Sequence, residues 1–389
     1  MMHKKLQLLG LVFFLAMQLG LAQTVVLSKD ATVAVLTFGP GASLNDAFGH
    51  NAFRITDKTR GIDLVYGYGE YDFEAPFFYL KFAQGKLNYM LSRHNFRDIY
   101  RYYSRHNRDI NEQVLNLTNK EKQELFNYLE HNYKPENRRY LYDFFYDNCA
   151  TRIRDVAELA TESPIEYTIP KDFVPKTFRT LIYEHVDKNT WGSLGIDLAL
   201  GSIIDRKASP REHMFLPKYV HDFFATATIG MERSLVQSSA QLNTAEDRED
   251  RLNFLVSPFL ILGVLALGIL YLTYKDHKNN SRTTWLDMSL AIFTGLVGII
   301  LFLLWFATDH TATGYNYNLL WAFPLNLILL GQLRKRNPKP WVKGYLKFLL
   351  LMLCLLTLHW LIGVQVFALS LIPLLIALAV RYVFVLKTL

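Results

Sequence analysis

The stretch "DFFYDNCATRIRDV", residues 143–156, places a cysteine at the start of a predicted helix. From position 151 to 160 the apolar residues recur with the spacing of one helix face. Asp147 or Asn148 fits the N-cap, which puts Cys149 in the first turn. Backbone N–H groups and the helix dipole stabilise a thiolate there, and the same groups can bind a developing oxyanion. The pattern therefore favours a reactive Cys149.

The chain has one other cysteine among its 389 residues, and the two are not expected to pair. Cys354 lies in the middle of an apolar run long enough to cross a membrane, whereas Cys149 belongs to a segment of soluble character. A disulfide would need their Cα atoms to approach within roughly 7 Å. Cys149 is therefore predicted to be a free thiol, which is either an inert buried side chain or a nucleophile.

The N-terminus directs the chain out of the cytoplasm. Two lysines precede an apolar run at positions 6–21 and small residues follow it, so residues 1–22 match a secretory signal peptide. Residues 23–236 have the mixed composition of one exported globular domain. The polar segment at 237–252 is predicted to be a linker.

Residues 253–389 are predicted to form an all-α transmembrane bundle of about five helices. Four apolar runs are long enough for a hydrocarbon core of roughly 30 Å, and the third run is shorter. Arg381, near the end of the fifth run, is expected to extend to the membrane interface. The runs are 254–274, 288–308, 318–333, 345–364 and 366–386.

The charges in the loops predict the orientation of this bundle. Lysine and arginine follow the first and third runs, whereas the loop at 309–317 has neither. By the positive-inside rule that loop and the exported domain both lie outside, in agreement with the signal peptide. The net charge of +7 is then largely a topology signal, so no nucleic-acid partner is expected. No histidine pair has metal-ligand spacing with a supporting carboxylate, so neither a metal nor another cofactor is expected.

A base for Cys149 is predicted in "SLNDAFGHNAFRI", residues 43–55. A thiol nucleophile usually works with a histidine, and His50 directly precedes a predicted strand. A turn at 57–61 and a returning strand complete a hairpin. In that hairpin Asp63, Tyr66 or Tyr68 would orient the imidazole. The alternative is that His50 has only a structural role.

Four motifs in this order resemble the DUF4105 family of Bacteroidetes-type bacteria, whose soluble part is known as the Lnb N-terminal periplasmic domain. They are "FGHNAFRI", "DLVYGYGEYDF", "NRRYLYDFFYDNCATRIRD" and "HMFLPKYV". The Asn-Cys pair with Gly-His upstream is also similar to permuted papain-like enzymes of the NlpC/P60 and lecithin–retinol acyltransferase group. A family member also carries a C-terminal helical membrane domain, so the resemblance covers nearly the whole chain. It implies an α+β permuted papain-like (NlpC/P60-like) exported domain followed by the transmembrane bundle.

The resemblance further implies a lipoprotein N-acyltransferase of the inner membrane. Such an enzyme takes an acyl chain from a phospholipid, holds it as a thioester and places it on the α-amine of a lipoprotein's lipidated N-terminal cysteine. By position, Cys149 matches the nucleophile and His50 the base, while Asp147 and Asn148 match the residues before the nucleophile. The chain departs from the family at Gly67, where the usual motif has asparagine, so no asparagine role is carried over.

Several polar residues are candidates for binding a phospholipid head group. Arg152 and Arg154 follow Cys149 and suit a phosphate, although ordinary ion pairing also explains them. A second polar cluster, at the outer end of the second and third spans, is either a head-group site or a plain interfacial loop. It comprises Asp309, His310, Asn316 and Asn318. The aromatic and basic segment at 74–103 is likewise either ordinary core or an acyl-binding face.

Two other functions are compatible with these residues. A membrane-anchored cysteine amidase or endopeptidase of cell-wall peptide would use the same Cys-His pair with water as final acceptor, but it needs at most one membrane anchor. A non-catalytic binding module, with the bundle as its scaffold, would tolerate Cys149→Ser because serine is close to cysteine in size.

Overall fold

The exported domain is organised around a seven-stranded antiparallel sheet with the strand order β10-β5-β1-β2-β3-β4-β6. The computed structural model describes residues 25–246, 254–335 and 337–389, so the predicted signal peptide and part of the predicted linker lie outside the described residues. A small second sheet has the order β7-β8-β9. The strands are β1 Thr32–Phe38, β2 His50–Asp57, β3 Ile62–Tyr71, β4 Asn88–Asn95, β5 Ile110–Leu115, β6 Arg139–Leu141, β7 Ile165–Glu166, β8 Thr228–Ile229, β9 Arg233–Ser234 and β10 Val236–Asn243.

Helices cover both faces of the large sheet, which explains why β1 is buried along almost its whole length. The main core lies between one face and the helices α3, α4 and α8. A smaller core lies under α2 on the other face. The described helices of this domain are α1 Phe78–Ala83, α2 Phe96–Arg105, α3 Asn119–Tyr133, α4 Cys149–Ala160, α5 Phe178–Tyr183, α6 Trp191–Ala199, α7 Pro210–His213 and α8 Pro217–Thr226, with the 3₁₀ helix Ser202–Asp205.

Helix α4 confirms the prediction made from the quoted stretch. Asn148 is its N-cap and Cys149 its first residue, and the predicted apolar face is buried. In contrast, the prediction that the linker begins at residue 237 is wrong, because Val236–Asn243 forms the edge strand β10 and pairs with β5. That strand is mostly exposed and polar, so it has no apolar alternation from which a strand could be predicted.

The membrane domain contains four described helices that are long and apolar enough to cross a bilayer. They are α9 Pro258–Lys278, α10 Thr284–Phe306, α12 Trp341–Leu361 and α13 Ile372–Thr388. The 3₁₀ helix Phe254–Val256 precedes α9, and the 3₁₀ helix Leu369–Leu371 directly precedes α13 and forms the start of its span. The order and positions of the four long helices agree with the predicted first, second, fourth and fifth runs.

The third predicted run is not one continuous helix. It consists of the 3₁₀ segments Tyr317–Leu320 and Pro324–Leu329 followed by α11, Leu330–Leu333. Such irregular backbone needs protein around it in a membrane. Helix α10 supplies this at two glycines: a Cβ at Gly298 would lie 2.4 Å from the Ala322 carbonyl oxygen, and one at Gly295 would lie 2.7 Å from Leu327.

Arg381 does not extend to the membrane interface as predicted. Its side chain is fully buried and pairs with Asp276 at 2.7 Å and with Asp287 at 2.6 Å. Both carboxylates lie near the ends of α9 and α10 that the positive-inside rule places on the cytoplasmic side. A buried cation within a bundle is stable only with such partners, so Arg381 joins α9, α10 and α13.

The exported domain contacts the outer loop of the membrane domain through a set of hydrogen bonds. We call this set, formed by Gly201, Ala312, Asn316, Asn318 and the end of α6, the junction. The amides of Asn316 and Asn318 donate to backbone carbonyls of α6 at 2.7 and 2.8 Å. The Gly201 N–H donates to the Ala312 carbonyl at 3.0 Å. A Cβ at Gly201 would lie only 1.9 Å from the carbonyl oxygen of Gly314, so the close approach requires glycine.

Candidate active site

Asn148 positions Cys149 through the hydrogen bonds of one buried side chain. Its Oδ1 accepts from the N–H groups of Ala150 and Thr151, each at 2.9 Å. Its amide nitrogen donates to two loop carbonyls at 2.7 and 2.8 Å. An asparagine both donates and accepts, whereas an ionised aspartate only accepts. The residue type is therefore explained by its cap role, and Asn148 positions Cys149 at the start of α4.

Asp147, the other residue before the nucleophile, is held in an ion pair. Both of its carboxylate oxygens bind Arg152, one of them at 2.6 Å from Nη2. The guanidinium of Arg152 in turn lies 4.4 Å from the ring centroid of Tyr140. This arrangement fixes the loop in front of α4.

His50 begins β2 at an end of the sheet where pairing stops. It lies opposite Phe38 of β1, and the ladder between β2 and β3 ends at Ala52 opposite Gly67. Beyond Gly67 the strand β3 shifts its register against β4. Such irregularities interrupt the hydrogen bonding between strands and change the direction in which side chains point. The backbone of His50 and Asn51 is thereby left unpaired on the side of β3.

His50 and Cys149 flank the same short segment of β3, residues 67–69. A Cβ at Gly67 would lie 3.1 Å from His50 Nε2, so the imidazole occupies the space beside this glycine. At Gly69, whose φ of 96° favours glycine, a Cβ would lie 3.8 Å from the Cβ of Cys149. The structure therefore brings the predicted nucleophile and base to one corner of the domain.

The thiol and the imidazole are neighbours without being directly bonded. Within the described ranges no hydrogen bond joins them. Catalytic hydrogen bonds are often long in the absence of substrate and shorten in the reacting complex. One of the two side chains must therefore move before a proton can pass directly between Cys149 and His50.

Burial raises the pKa of the Cys149 thiol above its ordinary value. The N–H groups of Asn51, Ala150 and Cys149 itself act in the opposite direction, as does the charge of Arg108, but burial outweighs them. The first turn of a helix alone would favour a thiolate, but burial outweighs it here, and the group is a neutral thiol at neutral pH. The converging N–H groups remain suited to an oxyanion that forms next to the sulfur.

Burial also lowers the pKa of His50 to about 4, and the positive charge of Arg108 contributes in the same direction. The negative charges of Asp46 and Glu70 oppose this shift but do not cancel it. The imidazole is consequently neutral at neutral pH and can accept a proton. The site thus holds a neutral thiol and a neutral base rather than a thiolate–imidazolium pair.

The residues predicted to orient the imidazole have other partners. Asp63 binds Arg54 at 2.7 Å, and the Tyr66 hydroxyl donates to Glu130 at 2.5 Å. Tyr68 is buried in the core on the α4 side of the sheet. The register of the β2–β3 hairpin explains why these three residues do not face His50. Since position 52 lies opposite 67, continued pairing would place position 69 opposite the histidine.

Three charged residues near His50 were not predicted. Asp46 and Glu70 are the carboxylates whose charge reaches the imidazole, and Arg108 lies 3.5 Å from Asp46. Glu70 also lies 3.7 Å from His94, which lowers the pKa of Glu70. Counting the hairpin outward from its turn would have suggested Glu70. No local signal identifies Arg108, because it comes from the loop before β5.

Two cavities lie beside the site. One of about 180 Å³ is lined in part by Gly49, which precedes His50, and by His185, Lys218 and His221. The other, an open groove of about 390 Å³ along α4, includes Arg152. Among the described residues, no group of three or more histidine, cysteine, aspartate or glutamate side chains is arranged to hold a metal ion.

Three of the six predicted head-group residues have other roles in this structure. Arg154 is buried and pairs with Asp155 at 2.7 Å. Asn316 and Asn318 are buried in the junction, where they bind backbone carbonyls of α6. Of the remaining candidates, Arg152 lines the groove along α4, and Asp309 and His310 lie at the surface.

The outer loop of the membrane domain touches both segments that build the site. Thr311 donates to the Asp143 carboxylate at 2.6 Å, at the beginning of the loop that leads to Cys149. His310 Nε2 lies 3.1 Å from the carbonyl oxygen of Phe82, in the insertion that follows β3. The Cys149 end of α4 therefore lies on the side of the domain that meets the membrane helices.

Comparison with protein families gives two matches in the order that the sequence predicts. Residues 23–183 match the Lnb N-terminal periplasmic domain, and residues 249–389 match the Lnb transmembrane domain. No curated protein and no solved structure matches the chain. The two family matches together cover most of the chain and confirm the resemblance found in its motifs. The chain therefore belongs to the Lnb family, as a membrane protein with a periplasmic N-terminal domain and a helical transmembrane domain.

Proposed function

We propose that the protein is a lipoprotein N-acyltransferase of the inner membrane. It would move an acyl chain from a phospholipid to the α-amine of a lipoprotein's lipidated N-terminal cysteine through a thioester on Cys149. The observation that carries this proposal is that the loop leading to Cys149 contacts the outer loop of the membrane domain through Asp143 and Thr311, on the side where both lipid substrates would lie. Family membership and the number of spans support it.

The first half-reaction follows from the neutral pair at the site. Cys149 Sγ attacks the ester carbonyl while His50 accepts the thiol proton. The N–H groups of Asn51 and of Cys149 itself, which converge on the sulfur, stabilise the oxyanion. On collapse the C–O bond breaks and the imidazolium gives its proton to the lysophospholipid oxygen. Because the pKa of His50 is about 4, its protonated form is a strong acid and returns to the neutral base quickly.

The second half-reaction transfers the acyl group to an amine. The neutral α-amine of the acceptor attacks the thioester carbonyl, and His50 accepts a proton from the amine nitrogen. The C–S bond then breaks, the amide forms, and the imidazolium returns its proton to the Cys149 sulfur. Water must be kept from the thioester in the interval, and the half-buried position of Cys149 restricts its access.

The cavity beside His50 supports a charged donor. Lys218 and two histidines line it, and a phosphate prefers such donors. Arg152 in the groove along α4, and His310 in the outer loop, remain further candidates for the head group. In this proposal the phospholipid enters from the membrane side, and its scissile ester reaches the corner between β2 and α4.

The decisive experiment uses the full chain in nanodiscs with a dipalmitoyl phosphatidylethanolamine donor and a synthetic diacyl lipopeptide as acceptor. Without acceptor, the intact mass should rise by one acyl chain, and hydroxylamine should remove it. With acceptor, the lipopeptide should gain one acyl chain. Cys149→Ser should abolish both results, whereas Cys354→Ser, at the cysteine in α12, is the matched control and should retain them.

Other outcomes would overturn the proposal. If the wild-type protein forms the adduct but releases only free fatty acid in the presence of the lipopeptide, the enzyme is a hydrolase. If Cys149→Ser acylates the lipopeptide as fast as wild type, Cys149 is not the nucleophile. If wild type neither forms an adduct nor modifies the lipopeptide, cleavage of cell-wall peptide or simple binding becomes the better reading of the site.

A further inference from the structure

The insertion between β3 and β4, residues 72–87, is apolar in a way that the exported domain does not explain. We call it the aromatic loop. It contains α1, which has no buried residue. Phe73, Phe77 and Tyr79 expose 73, 77 and 84% of their surface, and Leu80 and Phe82 are also exposed. Soluble surfaces rarely gather so many large apolar side chains, and such a patch marks a surface that binds something apolar.

The position of the aromatic loop relative to the membrane is fixed by direct contacts. The Asp309 N–H donates to the carbonyl of Gln84 at 2.9 Å, and His310 Nε2 lies 3.1 Å from the carbonyl oxygen of Phe82. A Cβ at Gly85 would lie 3.0 Å from the backbone nitrogen of His310. Helix α10 ends at Phe306, only a few residues before these contacts. The loop therefore lies level with the outer end of a membrane span.

The composition of the loop fits that level. Aromatic side chains prefer the boundary between head groups and acyl chains, where lysines can extend their ammonium groups to water. Lys81 lies in the last turn of α1, and Lys86 lies 3.9 Å from Asp309. These features are typical of segments that lie in the interface plane of a bilayer.

The inner end of the loop leads to the thiol through a row of rings. Phe73 lies 5.4 Å from Tyr71, which lies 4.8 Å from Tyr89, and Tyr89 stacks on Tyr142 at 4.1 Å between ring centroids. The Tyr142 ring reaches within 3.7 Å of the position that a Cβ would take at Gly69. Cys149 packs against that same position at 3.8 Å. A continuous row of ring contacts, in which Tyr89 is buried, thus runs from the exposed loop to Cys149.

We propose that the aromatic loop inserts into the outer leaflet and that the row of rings guides one acyl chain of a membrane glycerolipid to Cys149. The occupant is an acyl chain rather than a protein segment, because the loop lies at the outer end of α10. The insertion stands on its own geometry. The guidance of an acyl chain rests on the proposed function.

The insertion is tested on the full chain by spin labelling. The background is Cys149→Ser with Cys354→Ser, and the label is attached at Leu80→Cys in vesicles of phosphatidylethanolamine and phosphatidylglycerol. We expect the label to collide more with oxygen than with a water-soluble nickel chelate, as labels within a bilayer do. The control is Met231→Cys, an exposed site between β8 and β9, near the end of α4 opposite Cys149, where the chelate should dominate. A label at position 80 that behaves like the control would overturn the insertion.

The guidance of an acyl chain is tested with Phe73→Ala, because Phe73 is exposed and its truncation leaves the core intact. Acyl-enzyme formation from dipalmitoyl phosphatidylethanolamine should slow by about tenfold, since a ring contact with the chain is lost. Formation from a water-soluble dihexanoyl donor should be nearly unchanged. An equal loss with both donors, or no loss with either, would overturn the guidance. If wild type forms no adduct with any donor, the proposed function fails while the spin-label result is unaffected.

Discussion

The junction and the candidate active site, which holds Cys149 and His50, both lie on the side of the exported domain that meets the membrane helices. The two are built in opposite ways. At the junction, the amides and backbone groups of Asn316, Asn318 and Gly201 have partners at ordinary hydrogen-bond distances. At the candidate active site, the pairing between β2 and β3 stops at Ala52, and no hydrogen bond joins the side chains of Cys149 and His50 in the described ranges.

The contrast indicates how one face of the domain can combine rigid attachment with a candidate active site. Saturated hydrogen bonds and a glycine contact hold the domain at one distance from the bilayer. In the proposed reaction, the N–H groups that converge on the sulfur, a neutral thiol and a neutral base meet the substrate at a fixed position next to it. Changes at the candidate active site should therefore affect the chemistry, and changes at the junction should affect placement and stability.

The largest effect is expected for His50→Gln. Glutamine keeps a polar side chain of similar reach but cannot cycle a proton, so kcat/KM for acyl transfer should fall by roughly 10²–10⁴. Transfer to the lipopeptide in nanodiscs measures this. The control is His131→Gln, in α3, which should keep full activity. Retained activity in His50→Gln would show that another group acts as the base.

The next effect is expected for Gly67→Ala. The added Cβ would lie 3.1 Å from His50 Nε2, so the imidazole must move by a few tenths of an ångström. Misplacing a catalytic group by about this much or more costs up to roughly 10² in rate. The thermal midpoint should change little, because the neighbouring side chain can move. Unchanged rates would mean that the imidazole works from a different position.

The pH dependence of alkylation tests the neutral pair. Because burial raises the pKa of Cys149, its thiolate fraction should grow about tenfold per pH unit through the neutral range. The rate of iodoacetamide labelling of Cys149, followed by peptide mass, should rise in the same way beyond pH 9. A plateau that begins in the acidic range would instead show a thiolate–imidazolium pair and contradict the structure.

The sequence was informative where function or membrane insertion leaves a local pattern. The N-cap at Asn148, the thiol in the first turn and the apolar runs are all determined by neighbours in sequence. The charged neighbours of His50 could not be predicted from residues close in sequence. They depend on where β3 shifts its register and on Arg108 from a distant loop. The state of the thiol could not be predicted either, since burial is a property of the packed domain.

The membrane domain gives the same lesson. Hydropathy predicted where four spans lie, but it could not show that the third run is irregular or that Gly298 makes room for it. It also placed Arg381 at the membrane interface, because a basic side chain near the end of a span is expected to extend its charged group to water. Its partners Asp276 and Asp287 lie about a hundred positions away and become neighbours only in the folded bundle.

The smallest effect on chemistry, and the sharpest test of the junction, is expected for Gly201→Ala. A Cβ there would lie 1.9 Å from a backbone oxygen, so the backbone must shift and the junction should lose about 1–3 kcal/mol. Limited proteolysis should then cleave the region between the domains faster, while iodoacetamide labelling of Cys149 should keep its pH dependence.

Gly195→Ala is the matched control for Gly201→Ala, because it lies in α6 of the same region and a Cβ there meets no atom within 4 Å. It should leave the cleavage rate unchanged or stabilise the helix by about 0.5–1 kcal/mol. If Gly201→Ala instead alters the reactivity of Cys149 as strongly as Gly67→Ala does, the two regions are coupled. The separation of attachment from reactivity would then be incorrect.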